Sequence, residues 1–193
     1  MSLSALLSQG SWTTPPVSAV VVDDELRVTA AEGSDAWRHT SYGFVHDTEH
    51  ALLEPLPAQG AVEVDLVLDY VEQFDQAGVF LRVSPEEWVK AGVEVSDGVA
   101  QVGAVVTHGV SDWSVAPVPE WVGRCVTVRA SRSGDAVTVR ARADEEPFRL
   151  VRVAHLDPGA VVTAGLFCAA PTRAGLTVRF TEYRRTAPDA ALH

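Results

Sequence analysis

The sequence predicts an all-β fold, a two-sheet antiparallel β-sandwich of jelly-roll type. Three observations carry this. Short runs rich in Val recur along the whole chain, separated by Gly, Asp, Ser and Pro turn signals. Several runs alternate between apolar and polar residues, the period of a half-buried strand. No stretch keeps apolar residues at helical spacing long enough to make a long helix. About a dozen strands within 193 residues favour two stacked sheets.

Taken in order, residues 3–7 read as one helical turn, and Pro15-Pro16 then force an extended segment. Val17–Val22 and Leu26–Ala30 form a hairpin around Asp23-Asp24-Glu25. The loop Glu32-Gly33-Ser34-Asp35 delivers Ala36-Trp37-Arg38-His39, then Tyr42 and His46-Asp47. Leu52–Leu56 is a short strand. In Ala61–Tyr70, Val62, Val64, Leu66, Leu68 and Tyr70 share one face, with Glu63, Asp65 and Asp69 on the other.

Gln76–Val83 follows, with Ala77, Val79, Leu81 and Val83 on one face and Gln76, Gly78, Phe80 and Arg82 opposite. Ser84-Pro85-Glu86-Glu87 turns into Trp88–Val95, and Ser96-Asp97-Gly98 turns into Val99–Thr107. Arg124–Ser131 pairs with Ala136–Ala143 across a turn at Gly134-Asp135. Phe148–Val153, Val161–Ala169 and Leu176–Tyr183 are the last strands, and the tail from Thr186 is expected to fray. The length suits one sizeable core, so residues 1–193 read as one domain with its core at about 12–184.

The functional signal lies between Gln73 and Ser114. On Trp88–Val95, Val89, Ala91, Val93 and Val95 belong to the core. Trp88, Lys90, Gly92 and Glu94 face the other way and are candidates to line a groove. Lys90 and Glu94 lie roughly 13 Å apart along the strand, too far to pair. Gly92 between them leaves backbone open to a ligand. Gln76 joins this face from the preceding strand, and Thr107 from the following one. The competing reading is a solvated strand with ordinary charges.

Trp113 is either a stacking platform for a sugar ring or a plug at the sandwich edge. Ser111 and Asp112 read as turn-makers beside Gly109. Trp37-Arg38-His39 and Tyr42, with His46-Asp47, form a candidate rim carried on a loop. Glu94 is the candidate general acid or base should the protein be an enzyme.

Other chemistry is disfavoured. Glu63 and Asp65 lie about 7 Å apart on one strand face. That spacing suits paired catalytic carboxylates, but a Glu-x-Asp-x-x-Glu pattern fails because Leu68 holds the third position. A solvent-facing acidic strand explains the pair better. No nucleophile elbow, phosphate-binding Gly loop or metal-ligand spacing occurs, so no metal or cofactor is expected.

The net charge of −11, with no basic cluster beyond Arg184-Arg185, argues against nucleic acid and anionic membrane as partners. No apolar run is long enough to cross a membrane, and the N-terminus lacks signal-peptide character. A reducing cytoplasm with free Cys125 and Cys168 is the expectation, a Cys125–Cys168 bridge the alternative.

Four segments carry a resemblance: Asp75-Gln76-Ala77-Gly78, Trp88-Val-Lys90-Ala-Gly92-Val-Glu94, Val105-Val-Thr107-His-Gly-Val-Ser111-Asp112-Trp113-Ser114, and Arg149-Leu-Val-Arg152. Together they resemble the domain of unknown function 1349 family, the regulation of enolase protein 1-like proteins of bacteria and fungi, from about Trp12 to Tyr183. The resemblance implies a concanavalin A-like jelly roll related to lectins and glucanases, and no established activity. By fold analogy it points to carbohydrate. The expectation is a binding domain for a small polar ligand such as a sugar. The alternatives are a glycan- or metabolite-acting enzyme using Glu94, and a protein-interaction or regulatory module whose partner the sequence does not identify.

Overall fold

The computed structural model describes residues 2–192. A short helix, α1 (Leu3–Gln9), opens the chain, its first turn capped by the Ser2 side chain on the Ala5 N–H. It buries Leu3 and Leu6. The strands that follow are β1 (Ser11–Trp12), β2 (Ser18–Val22), β3 (Glu25–Thr29), β4 (Ala36–Arg38), β5 (Val45–Asp47), β6 (His50–Leu56), β7 (Gly60–Val67), β8 (Gln76–Ser84), β9 (Glu87–Ser96), β10 (Val99–His108) and β11 (Val110–Pro117). After a 3₁₀ turn at Pro119–Trp121 come β12 (Cys125–Ser133), β13 (Ala136–Ala143), β14 (Arg149–His155), β15 (Val162–Ala169) and β16 (Thr177–Thr186).

Two seven-stranded antiparallel sheets stack face to face. The front sheet runs β1-β6-β15-β8-β9-β10-β11, the back sheet β14-β13-β12-β7-β16-β3-β2. The alternation read from the sequence decides which residues meet between them. Val62, Val64 and Leu66 of β7 enter the same core as Val79 and Leu81 of β8 and Val89, Ala91 and Val93 of β9. Each buried Val or Leu contributes about 1.5–3 kcal/mol. Two-residue turns close the hairpins where the sequence placed Asp and Gly. Asp23 and Asp24 have φ of 53° and 65°, and Asp97 and Gly98 have 54° and 75°.

Three expectations need correction. Ser111 and Asp112, expected as turn-makers, lie in an edge strand, Val110–Pro117, paired with β10 from His108↔Val110 to Gln101↔Pro117. Only Gly109, at φ 74°, makes the turn. Ser111 is therefore a strand residue.

The described residues of the tail, 187–192, are bonded to the back sheet where fraying was expected. Asp189 accepts hydrogen bonds from Arg129 Nε at 2.8 Å and Arg140 Nε at 3.0 Å, and its N–H donates to Ser131 Oγ. That lays the tail across the outer face of the back sheet.

Glu63 and Asp65 are not a solvated acidic face. Arg129 and Arg184 hold Glu63 at 2.6 and 2.9 Å, and Arg184 also grips Asp65 bidentately at 2.8 and 2.9 Å. Both cysteines are free thiols. Among the described residues no helix is long and apolar enough to cross a membrane.

The hairpin of β4 and β5 is a third layer on the outer face of the front sheet. That face carries Phe80, Trp88 and Phe167, a set too apolar to leave in water. Ala36 and Trp37 cover it and complete a second small core with Ala51, Leu53 and Val105. The hairpin thus roofs one half of the expected groove and walls the other half.

Candidate functional site: a pocket between β9 and the β4–β5 hairpin

Antiparallel register places the floor residues in rows across the front sheet. In one row Glu94 stands between Gln76 of β8 and Gln101 of β10. In the next, Gly92 stands between Gly78 and Gly103. In the third, Lys90 stands between Phe80 and Val105, with Trp113 of β11 beyond.

The glycine row is a backbone requirement. A Cβ on Gly92 would lie 2.0 Å from the Ala77 carbonyl oxygen, and one on Gly78 2.1 Å from that of Ala91. The strands approach so closely that neither position admits a side chain. The result is a trench between the Lys90 row and the Glu94 row.

The hairpin supplies the wall. Tyr42, Phe44 and His46 follow one another at every second residue and share one side. Tyr42 stacks on Phe44 at 5.3 Å between ring centroids, Trp37 meets the edge of Tyr42 at 5.7 Å, and Phe44 meets His46 at 4.6 Å. The tip is held in left-handed backbone conformations at His39, Ser41 and Gly43, with φ of 61°, 63° and 76°. The Trp37 indole N–H donates to the Thr40 carbonyl at 3.0 Å and fixes the ring.

Floor and wall enclose a cavity of about 340 Å³. Trp37, Tyr42, Phe44 and Trp113 give it aromatic sides, and Asp35, Gln76, Lys90 and Glu94 give it a polar base. His46, Phe74, Val105, Gly33, Pro171 and Thr172 complete it.

The base is a fixed network. Lys90 is only 4% exposed, and its ammonium donates to Asp35 Oδ1 at 2.9 Å and Gln76 Oε1 at 2.7 Å. Gln76 Nε2 donates to Asp35 Oδ1 and to the Phe74 carbonyl, both at 3.3 Å. The Ala36 N–H donates to the same Asp35 oxygen at 2.8 Å.

Glu94 stands apart from this network. Burial raises its pKa to about 7, the Lys90 charge opposes that rise, and the Asp35 charge adds to it. Among the described residues no donor reaches its carboxylate. It is thus poised to take or give a proton near neutrality, in a cavity with fixed charges on one side.

The structure brings six of the sequence candidates together: Trp37, Tyr42, Gln76, Lys90, Glu94 and Trp113. Gly92 lies in the small cleft that adjoins the cavity floor. Arg38, Trp88 and Thr107 lie elsewhere. Arg38 projects from the opposite side of β4 to Trp37. Its Nε donates to the Gly109 carbonyl at 3.2 Å and its Nη2 to Glu86 at 3.0 Å.

Trp88 is packed under the hairpin against Phe80, with ring centroids 5.4 Å apart. Thr107 is fully buried and bonded to Ser111 Oγ at 2.9 Å. That same Ser111 oxygen accepts the Arg38 N–H at 2.9 Å. These residues fasten the hairpin to the sheet.

Sequence reading placed His46 in the rim but missed Asp35, Phe44 and Phe74. The every-second-residue pattern Tyr42, Phe44, His46 was a usable signal for Phe44. Asp35 had none, because its role depends on a lysine 55 residues away.

The comparisons agree with this architecture. The chain is 34% identical over 188 residues, 97% of its length and 94% of the relative's, to the "Regulation of enolase protein 1" of Saccharomyces cerevisiae. The crystal structure of a functionally unknown protein from the same yeast superposes with a TM-score of 0.88 at 33% identity, covering 95% of this chain and 99% of that one.

More distant neighbours share the fold alone. A GH43 protein from Bacillus licheniformis aligns at TM-score 0.68 and 12% identity over 88% of this chain and 34% of its own. An alginate lyase from Klebsiella pneumoniae aligns at 0.55 and 12% over 88% of this chain and 84% of its own. The family model described as a protein of unknown function, DUF1349, matches residues 12–188. The chain is therefore a member of the DUF1349 family.

Proposed function

We propose that this protein binds a small polar ligand, of carbohydrate type, in the cavity between β9 and the β4–β5 hairpin. The observation that carries the reading is the composition of that cavity. Flat aromatic surfaces of Trp37, Tyr42 and Trp113 stand over a base of Asp35, Gln76, Lys90 and Glu94. Aromatic faces suit the apolar faces of a sugar ring, and convergent polar groups suit its hydroxyls.

The volume of about 340 Å³ matches a small ligand. Neighbours of similar fold include a xylan beta-1,4-xylosidase and an alginate lyase, which supports carbohydrate by analogy only. Calorimetric titration with a panel of neutral, amino and acidic monosaccharides tests the reading. Heat of binding that disappears in Trp113→Ala supports it. No heat with any sugar contradicts it.

A second reading is an enzyme using Glu94 as acid or base. It is favoured by a second carboxylate, Asp35, in the same cavity, and by the neutral-range pKa of Glu94. Turnover of a bound glycan that survives Glu94→Gln would remove that role. A third reading, a regulatory protein module, rests on the name of the yeast relative. A pull-down with and without enolase tests it, and there Lys90→Ala should change nothing. The free Cys125 and Cys168 support a reducing, cytoplasmic setting for each reading.

A further inference from the structure

Most donors in the cavity base are committed within the protein: two of the three Lys90 N–H groups and both of the Gln76 amide. Lys90 Nζ serves Asp35 and Gln76 at 2.9 and 2.7 Å. Gln76 Nε2 serves Asp35 and the Phe74 carbonyl. The Lys90 charge is neutralised by the Asp35 carboxylate beside it. What the base leaves for a ligand is one Lys90 N–H and the acceptor oxygens of Glu94.

Glu94 offers both of its carboxylate oxygens, and among the described residues no donor occupies them. The groups facing Glu94 are Lys90 on its own strand, Gln76 from β8, Gln101 from β10, Asp35 from the loop before β4 and His46 from β5. Lys90 is the one fixed cation among them, and it is already paired.

The walls carry the same polarity. Trp37, Tyr42, Phe44 and Trp113 line them, and a ring face open to the cavity attracts a cation within about 6 Å of its centroid. The chain as a whole has a formal charge of −11, which concentrates small cations near its surface.

We infer that the cavity selects a ligand bearing a protonated amine, an amino sugar in preference to its neutral or acidic counterpart. The ammonium sits against the Glu94 carboxylate and the aromatic faces, while the hydroxyls meet Asp35 and Lys90. A neutral sugar satisfies the hydrogen bonds but brings no counter-charge to Glu94, which burial leaves only partly ionised at pH 7 and which an ammonium draws into its carboxylate form. A uronate adds a second negative charge beside it. The inference rests on the proposed sugar-binding role of this pocket and goes beyond it by fixing the charge of the ligand.

The test is calorimetric titration of the full chain at pH 7 with glucose, galactose and mannose, their 2-amino counterparts, and glucuronate. The expected result is that at least one amino sugar binds about tenfold tighter than its neutral parent, with glucuronate weakest. In Glu94→Gln, with an unchanged melting profile showing that it folds, the preference falls to within about twofold. Trp113→Ala, which removes an exposed ring, weakens the amino sugar more than the neutral one.

Equal affinities for amino and neutral sugars, or a preference for glucuronate, overturn the charge inference and leave sugar binding standing. No binding by any of the sugars overturns both. A preference for amines that persists in Glu94→Gln overturns the role given to that carboxylate.

Discussion

Lys90 Nζ of β9 lies 2.9 Å from Asp35 Oδ1, a contact that spans 55 residues of sequence and joins the sheet to the loop that starts the hairpin. This pair keeps a lysine on the sheet face without leaving a free positive charge in the cavity. It also leaves Glu94 as the carboxyl there without a bonded partner, its pKa raised to about 7 by burial.

Breaking the pair should be costly. Lys90→Met leaves Asp35 half-buried and uncompensated, and a loss of about 3 kcal/mol in urea unfolding is expected. Lys90→Met combined with Asp35→Leu should recover most of it, because both charges are then gone. A double variant no more stable than Lys90→Met would show that the pair is not the anchor.

Glu94 predicts a pH dependence with a definite sign. Its folded pKa of about 7 lies above the ordinary 4.5, so the folded protein holds this proton more tightly than the unfolded chain. The associated stability is fully present below pH 4.5 and is lost as pH rises through about 7. Its size is on the order of 2–3 kcal/mol. Stability curves of the native chain and Glu94→Gln should diverge between pH 5 and 8, roughly, with only the native chain losing this increment. Parallel curves would contradict the raised pKa.

Gly92 should tolerate no side chain. Gly92→Ala places a methyl 2.0 Å from the Ala77 oxygen, and the sheet must open at the middle of β8 and β9. A loss of about 2–3 kcal/mol is expected from the denaturation midpoint. A neutral effect would mean that the strands already have slack there.

Arg38 should matter to the hairpin and not to the ligand. Arg38→Ala removes the bonds to the Gly109 carbonyl and Glu86. A loss of about 1–3 kcal/mol and faster amide exchange across 36–47 are expected. Ligand preference should stay as it was, since Arg38 lies outside the cavity. A changed preference would place it back among the site residues.

The tail offers a separate check on the back sheet. Asp189→Ala leaves Arg129 Nε and Arg140 Nε without their acceptor. A loss of about 1–2 kcal/mol is expected, larger in low salt than in high. No change would return the tail to the frayed state that its composition suggested.

The fold was legible because the alternation in β7, β8 and β9 is nearly unbroken, so the core face could be assigned residue by residue. Half of the site was legible for the same reason. Gln76, Lys90 and Glu94 had to share a face once Ala77, Val89 and Val93 were assigned to the core.

The rest was not. Arg38 and Tyr42 are four residues apart on one hairpin, yet one pins the sheet and the other lines the cavity. Short strands give too little pattern to choose between their two sides. Trp88 and Thr107 were correctly placed on the outer face of the sheet. That this part of the face is roofed depends on where the hairpin lands, which is a tertiary contact. Asp35 belongs to the site only through Lys90, and nothing in its own neighbourhood announces a partner so far along the chain.

The central claim is that the cavity between β9 and the hairpin is the ligand site, and the indole N–H signals of the protein's five tryptophans test it most directly. On titration with a binding sugar, the Trp113 and Trp37 signals should move together along one saturation curve, while those of Trp12 and Trp121 stay fixed. Shifts confined to Trp12 or Trp121, or no shift with any sugar tested, would contradict it.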